Sequence, residues 1–324
     1  MKTSRLIYSL VITAILNLSW SSSSNASPLS HSNDIEEIRY WIAQTEELGI
    51  VDRIKGATEL LMGRPYVLDN LGEGNSGKYD QDPRYRFDQF DCTTFVETII
   101  ALSRAKSFDQ FEHHMDRIRY DRGEVNFTTR NHFPSLDWVP NNIRHGYLNE
   151  ETRRIASNGN SRLETASAII NKPKWYSLMK ESMLQLKEQL PPEQRVKRVA
   201  EWRDEGKAFQ PTRASIDYIP FAEFFRNGQN HTALVNQIPD GSVVNIVRPN
   251  WDLTETMGTH MNVSHQMIFV RGPQGQPLLR HASSVFKKVV EQDFFLIMRN
   301  HHNHATAKGI HIASILPAPA STEN

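Results

Sequence analysis

The sequence has one cysteine, Cys92, at the start of a segment with the spacing of an amphipathic helix. Apolar residues from Phe95 to Ile100 recur at the i, i+3, i+4 positions of a helix with one buried face. Asp91 is a good N-cap residue and would place Cys92 in the first turn. Thr94 and Glu97 form an alternative capping box that begins the helix later. Unpaired N–H groups at a helix N-terminus favour an anion, so we expect a lowered thiol pKa and nucleophilic chemistry.

A nucleophilic thiol needs a base, and two of the 13 histidines are predicted to share one face of a β-hairpin. If Arg271–Gly275 form the loop, Val270 pairs with Gln276 and His265 then faces His281. Directly opposed residues point to the same face, whereas a one-residue slip would separate the two rings. The alternative is that each histidine is an ordinary solvated or hydrogen-bonded strand residue. Together with the thiol, the pair could supply a base and a group that orients it.

The remaining elements predict an α+β fold, with the cysteine helix packed on an antiparallel sheet. Further strands are predicted at Val285–Val290 and Phe294–Met298. Residues 150–206 are rich in charge and contain apolar residues between Leu178 and Leu186, which indicates a helical insertion of amphipathic helices. Pro191–Pro192 would divide these helices. The insertion could lie beside or over the cleft, or serve only as a structural layer.

The N-terminus has the pattern of an export signal. A basic start precedes the apolar run Leu6–Leu18, and Ser24–Ala26 fits the small-residue rule for cleavage, so residues 1–26 are predicted to be a signal peptide. The run is too short for a comfortable membrane span, although an uncleaved anchor is the alternative. We expect an exported protein, periplasmic or secreted, without stable membrane insertion after cleavage. One catalytic domain is predicted at residues 27–315, followed by a disordered tail at residues 316–324.

Composition and motif context exclude several partners. Lys plus Arg and Asp plus Glu each number 37, so no basic field favours nucleic acid. "GEGNSGKY" (Gly72–Tyr79) nearly matches a phosphate-binding loop, but Tyr79 replaces the required hydroxyl residue and no strand precedes it. We therefore expect no nucleotide, and a glycine-rich loop bordering the substrate cleft instead. "NHHNH" (Asn300–His304) is not expected to hold a metal, because adjacent histidines rarely point at one ion.

Six segments occur in an order that resembles a known family. They are "GRPYV" (Gly63–Val67), "FDCTTFVE" (Phe90–Glu97), "TTRNHFPSLDWVPNN" (Thr128–Asn142), "IPDGSVVNIV" (Ile238–Val247), "VSHQMIFV" (Val263–Val270) and "LLRHASS" (Leu278–Ser284). The set resembles the NlpC/p60 superfamily of papain-like cell-wall cysteine hydrolases. The segment at 128–142 is similar to a branch that acts as N-acetylmuramoyl-L-alanine amidases on anhydro-muropeptides.

The resemblance implies roles for individual residues. Cys92 would be the nucleophile, His265 the general base and His281 the group that orients it. Tyr66 falls where the superfamily keeps a tyrosine beside the active site. Substrate binding is implied for three residues of the 128–142 segment, namely His132, Asp137 and Trp138. Met267 replaces the small residue usual in the histidine strand, so we expect it to crowd the site.

The resemblance also implies a reaction and leaves two alternatives. The thiolate of Cys92 would attack the lactyl carbonyl of muramic acid, His265 would protonate the departing amine of L-alanine, and water would hydrolyse the thioester. No metal or organic cofactor is needed. Alternatives are an endopeptidase that cuts between D-glutamate and the diamino acid, and a non-catalytic peptidoglycan-binding protein. The expected partners are peptidoglycan fragments, with no nucleic acid and no nucleotide.

Overall fold

The computed structural model describes residues 28–319 of the chain. The predicted signal peptide, residues 1–26, lies outside the described residues, as do residues 320–324 of the predicted tail. Leu316, the first residue of that tail, is tied to the domain: its N–H donates to the Tyr147 carbonyl at 2.9 Å and its carbonyl accepts from Arg104 at 2.7 Å. No helix in this part of the chain is long and apolar enough to cross a membrane.

The described residues form a mixed α and β structure. The α-helices are α1 (Pro28–Gln44), α2 (Ile50–Leu60), α3 (Cys92–Arg104), α4 (Phe108–Arg119), α5 (Val139–Arg144), α6 (Thr152–Asn158), α7 (Lys172–Ser177), α8 (Pro192–Glu205), α9 (Thr232–Val235), α10 (Thr254–Met257) and α11 (Phe294–His302). The β-strands are β1 (Leu148–Glu150), β2 (Glu164–Ile170), β3 (Thr212–Pro220), β4 (Phe225–Arg226), β5 (Gln229–Asn230), β6 (Ser242–Leu253), β7 (Thr259–Arg271), β8 (Pro277–Ser283), β9 (Lys288–Asp293) and β10 (Gly309–Ile315).

One eight-stranded sheet organises the molecule. Its strand order is β2-β3-β10-β6-β7-β8-β9, with β1 also paired to β10, and every pair is antiparallel. The predicted α+β class with an antiparallel sheet is therefore confirmed. Alternate residues of β7 separate two core clusters, because successive strand residues point to opposite faces. Ile268 and Val270 pack with α3, whereas Met267 and Phe269 pack with α11.

The predicted register of the β7–β8 hairpin is wrong by two residues. Val270 pairs with Leu278, not with Gln276. The loop is therefore Gly272–Gln276, one residue further along the chain than predicted. It is closed by a hydrogen bond from the Gly272 N–H to the Gln276 carbonyl and turns at Gly275, whose φ is +77°. Because the side-chain period of a strand is two, the two-residue shift in pairing leaves every side chain on its predicted face.

The segment Phe294–Met298 was predicted as a strand, and the structure makes it the first part of α11. Asp293 caps this helix by accepting from the Leu296 N–H at 2.8 Å. A short apolar run does not by itself distinguish a strand from a buried helix, and the cap decides here. The preceding strand, predicted at Val285–Val290, is observed as β9, which begins three residues later and extends to Asp293.

The segment at residues 150–206 contains a strand as well as helices. Helices α6, α7 and α8 alternate with β2, which pairs along its whole length with β3. Pro192 is the first residue of α8, as the proline pair indicated. The apolar residues from Leu178 to Leu186 do not form an amphipathic helix. Met179 and Leu184 instead pack from irregular segments into a small core with Trp202. Contacts with distant residues bury them, and helical periodicity does not.

Candidate active site

Cys92 is the first residue of α3, and Asp91 is its N-cap. The Asp91 carboxylate accepts from the backbone N–H groups of Thr93 at 2.9 Å and Thr94 at 2.8 Å. The Asp91 N–H in turn donates to the Thr94 hydroxyl at 2.9 Å, which completes a capping box. Two amides that could have stabilised a thiolate at this helix end, those of Thr93 and Thr94, are therefore already used by the cap, and the Cys92 N–H is left to act on the sulfur.

The expected lowering of the thiol pKa is not observed. Burial and the Asp91 carboxylate raise the pKa of Cys92 to about 12, although the residue keeps part of its surface exposed. The backbone amide of Gln266 and the Thr93 side chain act in the opposite direction, but they are smaller effects. At neutral pH the nucleophile candidate is a neutral thiol, so it must lose its proton during attack.

The two hairpin histidines are in direct contact. His265 Nε2 and His281 Nδ1 are 2.8 Å apart, and His281 Nε2 lies 2.9 Å from the Gln292 side-chain oxygen. The rings are nearly perpendicular, with an interplanar angle of 84°. Burial lowers the pKa of both histidines, so both are neutral near pH 7. The geometry provides a neutral base, His265, held by a second imidazole.

The thiol and the histidine pair belong to elements on different faces of the sheet. The β7–β8 ladder begins at Ile268 and does not extend back to His265. His265 lies opposite Ile246, which packs on the α11 face, whereas Cys92 comes from the α3 face. Among the described residues, the backbone amide of Gln266, the neighbour of His265, is the group of β7 that acts on the Cys92 sulfur. Hydrogen bonds between catalytic groups often tighten only when substrate is bound.

Tyr66 lies beside the thiol, as the resemblance implied. Its N–H donates to the Lys287 carbonyl at 2.9 Å, and it forms a parallel bridge with Phe90, two residues before Cys92. Burial raises the pKa of the Tyr66 phenol, and the charges of Cys92 and Asp91 add to this. The phenol therefore stays protonated and can act as a hydrogen-bond donor.

A cavity of about 150 Å³ opens next to the start of α3. It is lined by Asp69, Asn70, Leu71, Asp91, Thr93, Thr94, Glu97, Arg119, Arg130, Asn131 and His132. Inside it, two buried arginines are paired with carboxylates. Arg119 donates to Glu97, and Arg130 donates to Glu73 and to Asp80. The lining of this polar cavity therefore contains two guanidinium groups fixed by ion pairs, together with the carboxyl groups of Asp69, Asp91 and Glu97.

Three residues of the 128–142 segment were predicted to bind substrate, and only His132 lines the cavity. Trp138 is completely buried and donates its indole N–H to Glu97 at 2.9 Å, so it supports the cavity from behind. Asp137 forms an ion pair with Lys172 at 2.9 Å and does not line the cavity. Trp138 and Asp137 therefore lie outside the lining of this cavity, and their role in substrate binding stays a prediction.

The glycine-rich loop reaches the cavity through Arg130. A Cβ atom on Gly72 would lie 2.2 Å from the Asp80 carboxylate, and one on Gly77 would lie 2.0 Å from the Asp80 carbonyl. These close approaches require glycine. They let the loop place Glu73 and Asp80 against the guanidinium of Arg130. No residue of the loop is among the lining residues of the cavity, and its contact with the cavity is through the arginine that it supports.

Met267 lies two residues after His265 on β7, on the α11 face of the sheet. Its side chain is completely buried in the core cluster on the α11 face and does not line the cavity. The insertion, by contrast, does approach the cavity. The ring of Trp175 in α7 lies 4.6 Å from that of His132, so α7 packs beside the cavity wall.

Comparisons with known proteins show the family of this chain. The model of the AmiA-like family, described as N-acetylmuramoyl-L-alanine amidase-like, matches residues 57–306. The chain belongs to this amidase-like family. The match includes Cys92, His265 and His281. Among curated proteins no match was found.

Solved structures show the same fold as this amidase-like chain. Protein LPG0564 from Legionella pneumophila is 32% identical, with a TM-score of 0.83 over 90% of this chain and 97% of that one. An N-acetylmuramoyl-L-alanine amidase from Bacteroides uniformis is 22% identical, with a TM-score of 0.56 over 82% of this chain and 99% of that one. A putative xylanase from Bacteroides fragilis is 22% identical, with a TM-score of 0.54 over 80% of this chain and 100% of that one. At 22% identity, the last two show the fold alone.

Sequence reasoning missed several polar residues of this amidase-like site, namely Arg119, Arg130 and Gln292. Arg119 carried a usable signal, since it lies on the buried face of α4 beside Met115 and Ile118, where a charge needs a partner. Gln292 could have been predicted by extending the predicted strand at Val285–Val290 by two residues. It then lies on the same face as Val290, which pairs with His281. Arg130 lies in irregular structure and had no such signal.

Proposed function

We propose that this chain is a cysteine amidase that hydrolyses the bond between N-acetylmuramic acid and L-alanine in peptidoglycan fragments. In this proposal it is an NlpC/p60-type, papain-like enzyme with a Cys92–His265–His281 triad. Membership of the amidase-like family supports the reaction class. One observation supports the triad. His265 Nε2 lies 2.8 Å from His281 Nδ1, and the residue that follows His265, Gln266, places its backbone amide against the Cys92 sulfur.

The proposed reaction has two stages. The Cys92 sulfur attacks the lactyl carbonyl while its proton moves to His265, and the tetrahedral oxyanion accepts a hydrogen bond from the Tyr66 phenol. His265 then gives that proton to the L-alanine nitrogen, the carbon–nitrogen bond breaks, and a thioester remains on Cys92. In the second stage His265 takes a proton from water and the resulting hydroxide attacks the thioester carbonyl. The carbon–sulfur bond then breaks, the lactyl group leaves as a carboxylic acid, and His265 returns its proton to the Cys92 sulfur.

The substrate side of the proposal uses the cavity beside α3. A stem peptide carries carboxylates, and Arg119, Arg130 and His132 face the cavity that begins at Asp91 and Thr93. Soluble anhydro-muropeptides are proposed as substrates on the basis of the 128–142 segment. Export to the periplasm or the medium is proposed from the signal pattern of residues 1–26.

The test is mass spectrometry of reaction products. Protein lacking residues 1–26 is incubated with a GlcNAc-anhydroMurNAc-tetrapeptide, beside a Cys92→Ala variant. We expect free disaccharide and an intact peptide that begins with L-alanine, both absent with the variant. A disaccharide that keeps L-Ala-D-Glu would show an endopeptidase. Binding of the fragment without cleavage would favour the peptidoglycan-binding alternative.

A further inference from the structure

The hydrogen-bonded chain of His265 and His281 continues to a third side chain, Gln292 of β9. The Gln292 oxygen lies 2.9 Å from His281 Nε2, and His281 Nδ1 lies 2.8 Å from His265 Nε2. We propose that Gln292 is a positioning residue that selects the tautomer of both histidines and so leaves His265 Nδ1 free to accept the thiol proton. This inference rests on the proposed function and deepens it.

The argument follows the protons along the chain. An amide oxygen only accepts, so the proton of neutral His281 must lie on Nε2 and be donated to Gln292. His281 Nδ1 is then an acceptor, and His265 must donate to it from Nε2. A neutral imidazole has a single N–H, so His265 Nδ1 carries a lone pair. That atom is the remaining ring nitrogen of His265, and it is the one available to the thiol.

The opposite amide orientation makes a distinct and testable pattern. If the Gln292 nitrogen faced His281, it would donate to Nε2 and move the His281 proton to Nδ1. His281 would then donate to His265 Nε2, and His265 would carry its own proton on Nδ1, where it could not act as a base. The orientation of one amide therefore decides whether the proposed base is competent.

Two features make Gln292 suitable for this role. It lies on β9 opposite Leu279, two residues along the ladder from the His281–Val290 pair, so the sheet holds its backbone in place. The titratable groups that face the histidines are His301 of α11, whose own pKa burial lowers, and Arg248 of β6, which acts on His265. The hydrogen bond to Gln292 raises the pKa of His281, but burial is the larger effect and lowers it, so the amide orients His281 while the ring stays neutral.

Three variants separate this role from a structural one. Gln292→Met removes the acceptor at similar size, and Gln292→Glu offers only acceptors. Gln274→Met makes the same chemical change in the exposed hairpin turn and is the matched control. Thermal unfolding of all three shows which are folded, and Gln292→Glu keeps the test informative if Gln292→Met does not fold.

The first measurement is the ¹⁵N chemical shifts of the histidine rings in the free protein at pH 8, which distinguish protonated from bare nitrogens. We expect protonated Nε2 and bare Nδ1 on both histidines in the wild-type protein and in Gln274→Met. In Gln292→Met the two tautomers should mix. A bare Nε2 on wild-type His281, or an unchanged pattern in Gln292→Met, would overturn the proposal. This measurement needs no activity, so it decides the inference even if the proposed reaction fails.

The second measurement is the pH profile of muropeptide cleavage. Gln292→Met should lower kcat by roughly 10–100-fold with little change in KM, comparable with removal of the outer partner of a metal-bound histidine. Gln292→Glu should retain more activity than Gln292→Met and shift the acidic limb of kcat/KM upward, because a carboxylate stabilises the imidazolium of His281. A kcat of Gln292→Met within about twofold of Gln274→Met would contradict a positioning role, which is expected to cost more than this.

Discussion

At the residue scale, Cys92 combines partial exposure with an unusually weak acidity. Burial and the neighbouring Asp91 carboxylate place the pKa of its thiol at about 12, far above neutral pH. The free protein therefore does not hold a preformed thiolate. In the proposed mechanism, formation of the nucleophile is coupled to proton uptake by His265, whose pKa burial lowers so that the ring is neutral and able to accept a proton.

The pH dependence of thiol alkylation tests this state. The thiolate fraction rises about tenfold per pH unit at pH values well below the thiol pKa, and iodoacetamide reacts with the thiolate. We therefore expect the alkylation rate of Cys92 to rise continuously between pH 7 and pH 10. Because Cys92 is the single cysteine of the chain, a Cys92→Ala variant gives the background directly. A plateau reached below pH 8 would instead show a stable thiolate–imidazolium pair.

At the element scale, the start of α3 serves two purposes that conflict. The Asp91 carboxylate caps the helix by accepting from Thr93 and Thr94, and the same charge disfavours the thiolate one residue later. The helix N-terminus alone would have had the opposite effect. The acidity of the nucleophile is thus set by the cap as well as by the helix dipole.

Replacing Asp91 by Asn separates these two purposes. Asn and Asp are similar N-cap residues, so the free energy of unfolding should change by less than about 1 kcal/mol. Removal of the negative charge should lower the Cys92 pKa and raise the alkylation rate at pH 8 several-fold. Asp293→Asn makes the same change at the N-cap of α11 and is the matched control. Equal alkylation rates in the two variants would refute a contribution of the Asp91 charge.

At the scale of the whole molecule, the sheet interior holds buried titratable groups whose effects on stability have opposite signs. Burial lowers the pKa of His311 in β10 to about 4. Burial also raises the pKa of carboxyls such as Glu97 and Asp82, the latter to about 6. Acid therefore weakens the fold through the histidine and strengthens it through the carboxyls, because each buried group favours its neutral form.

His311 allows one of these contributions to be measured. Its pKa is lower in the folded protein than the usual 6.5 or so of an unfolded chain, so its contribution is full above that value and is lost as pH falls towards 4. At pH 5 this loss is about 2 kcal/mol. Between pH 7 and pH 5 we therefore expect the free energy of unfolding of His311→Asn to fall by about 2 kcal/mol less than that of the wild-type protein. Chemical unfolding at both pH values measures this difference.

Comparing the pH dependence, and not the absolute stability, is necessary because His311 also contacts Asn245 at 3.0 Å. Loss of that contact should destabilise the variant equally at both pH values. His113→Asn, at an exposed position of α4, controls for removing one histidine from the chain. If His311→Asn and wild type have parallel pH profiles, His311 is not a buried neutral group in the folded protein.

Local patterns in the sequence determined much of the site. Asp91 and the apolar spacing behind it placed Cys92 at a helix start, because capping and helical periodicity depend on neighbouring residues. The two histidines were predicted to share a face, and they do so even though the register differs. A shift of two residues preserves the face of every strand residue, so the inference depended only on the alternation.

Tertiary structure alone decided the quantities that depend on distant parts of the chain. The raised pKa of Cys92 comes from burial and charge together, and the position of Trp138 behind Glu97 comes from packing against α3. Gln292 meets His281 only because β8 and β9 pair in one register. Such contacts join residues with no local relation, and burial sets their strength, so periodicity and capping carry no information about them.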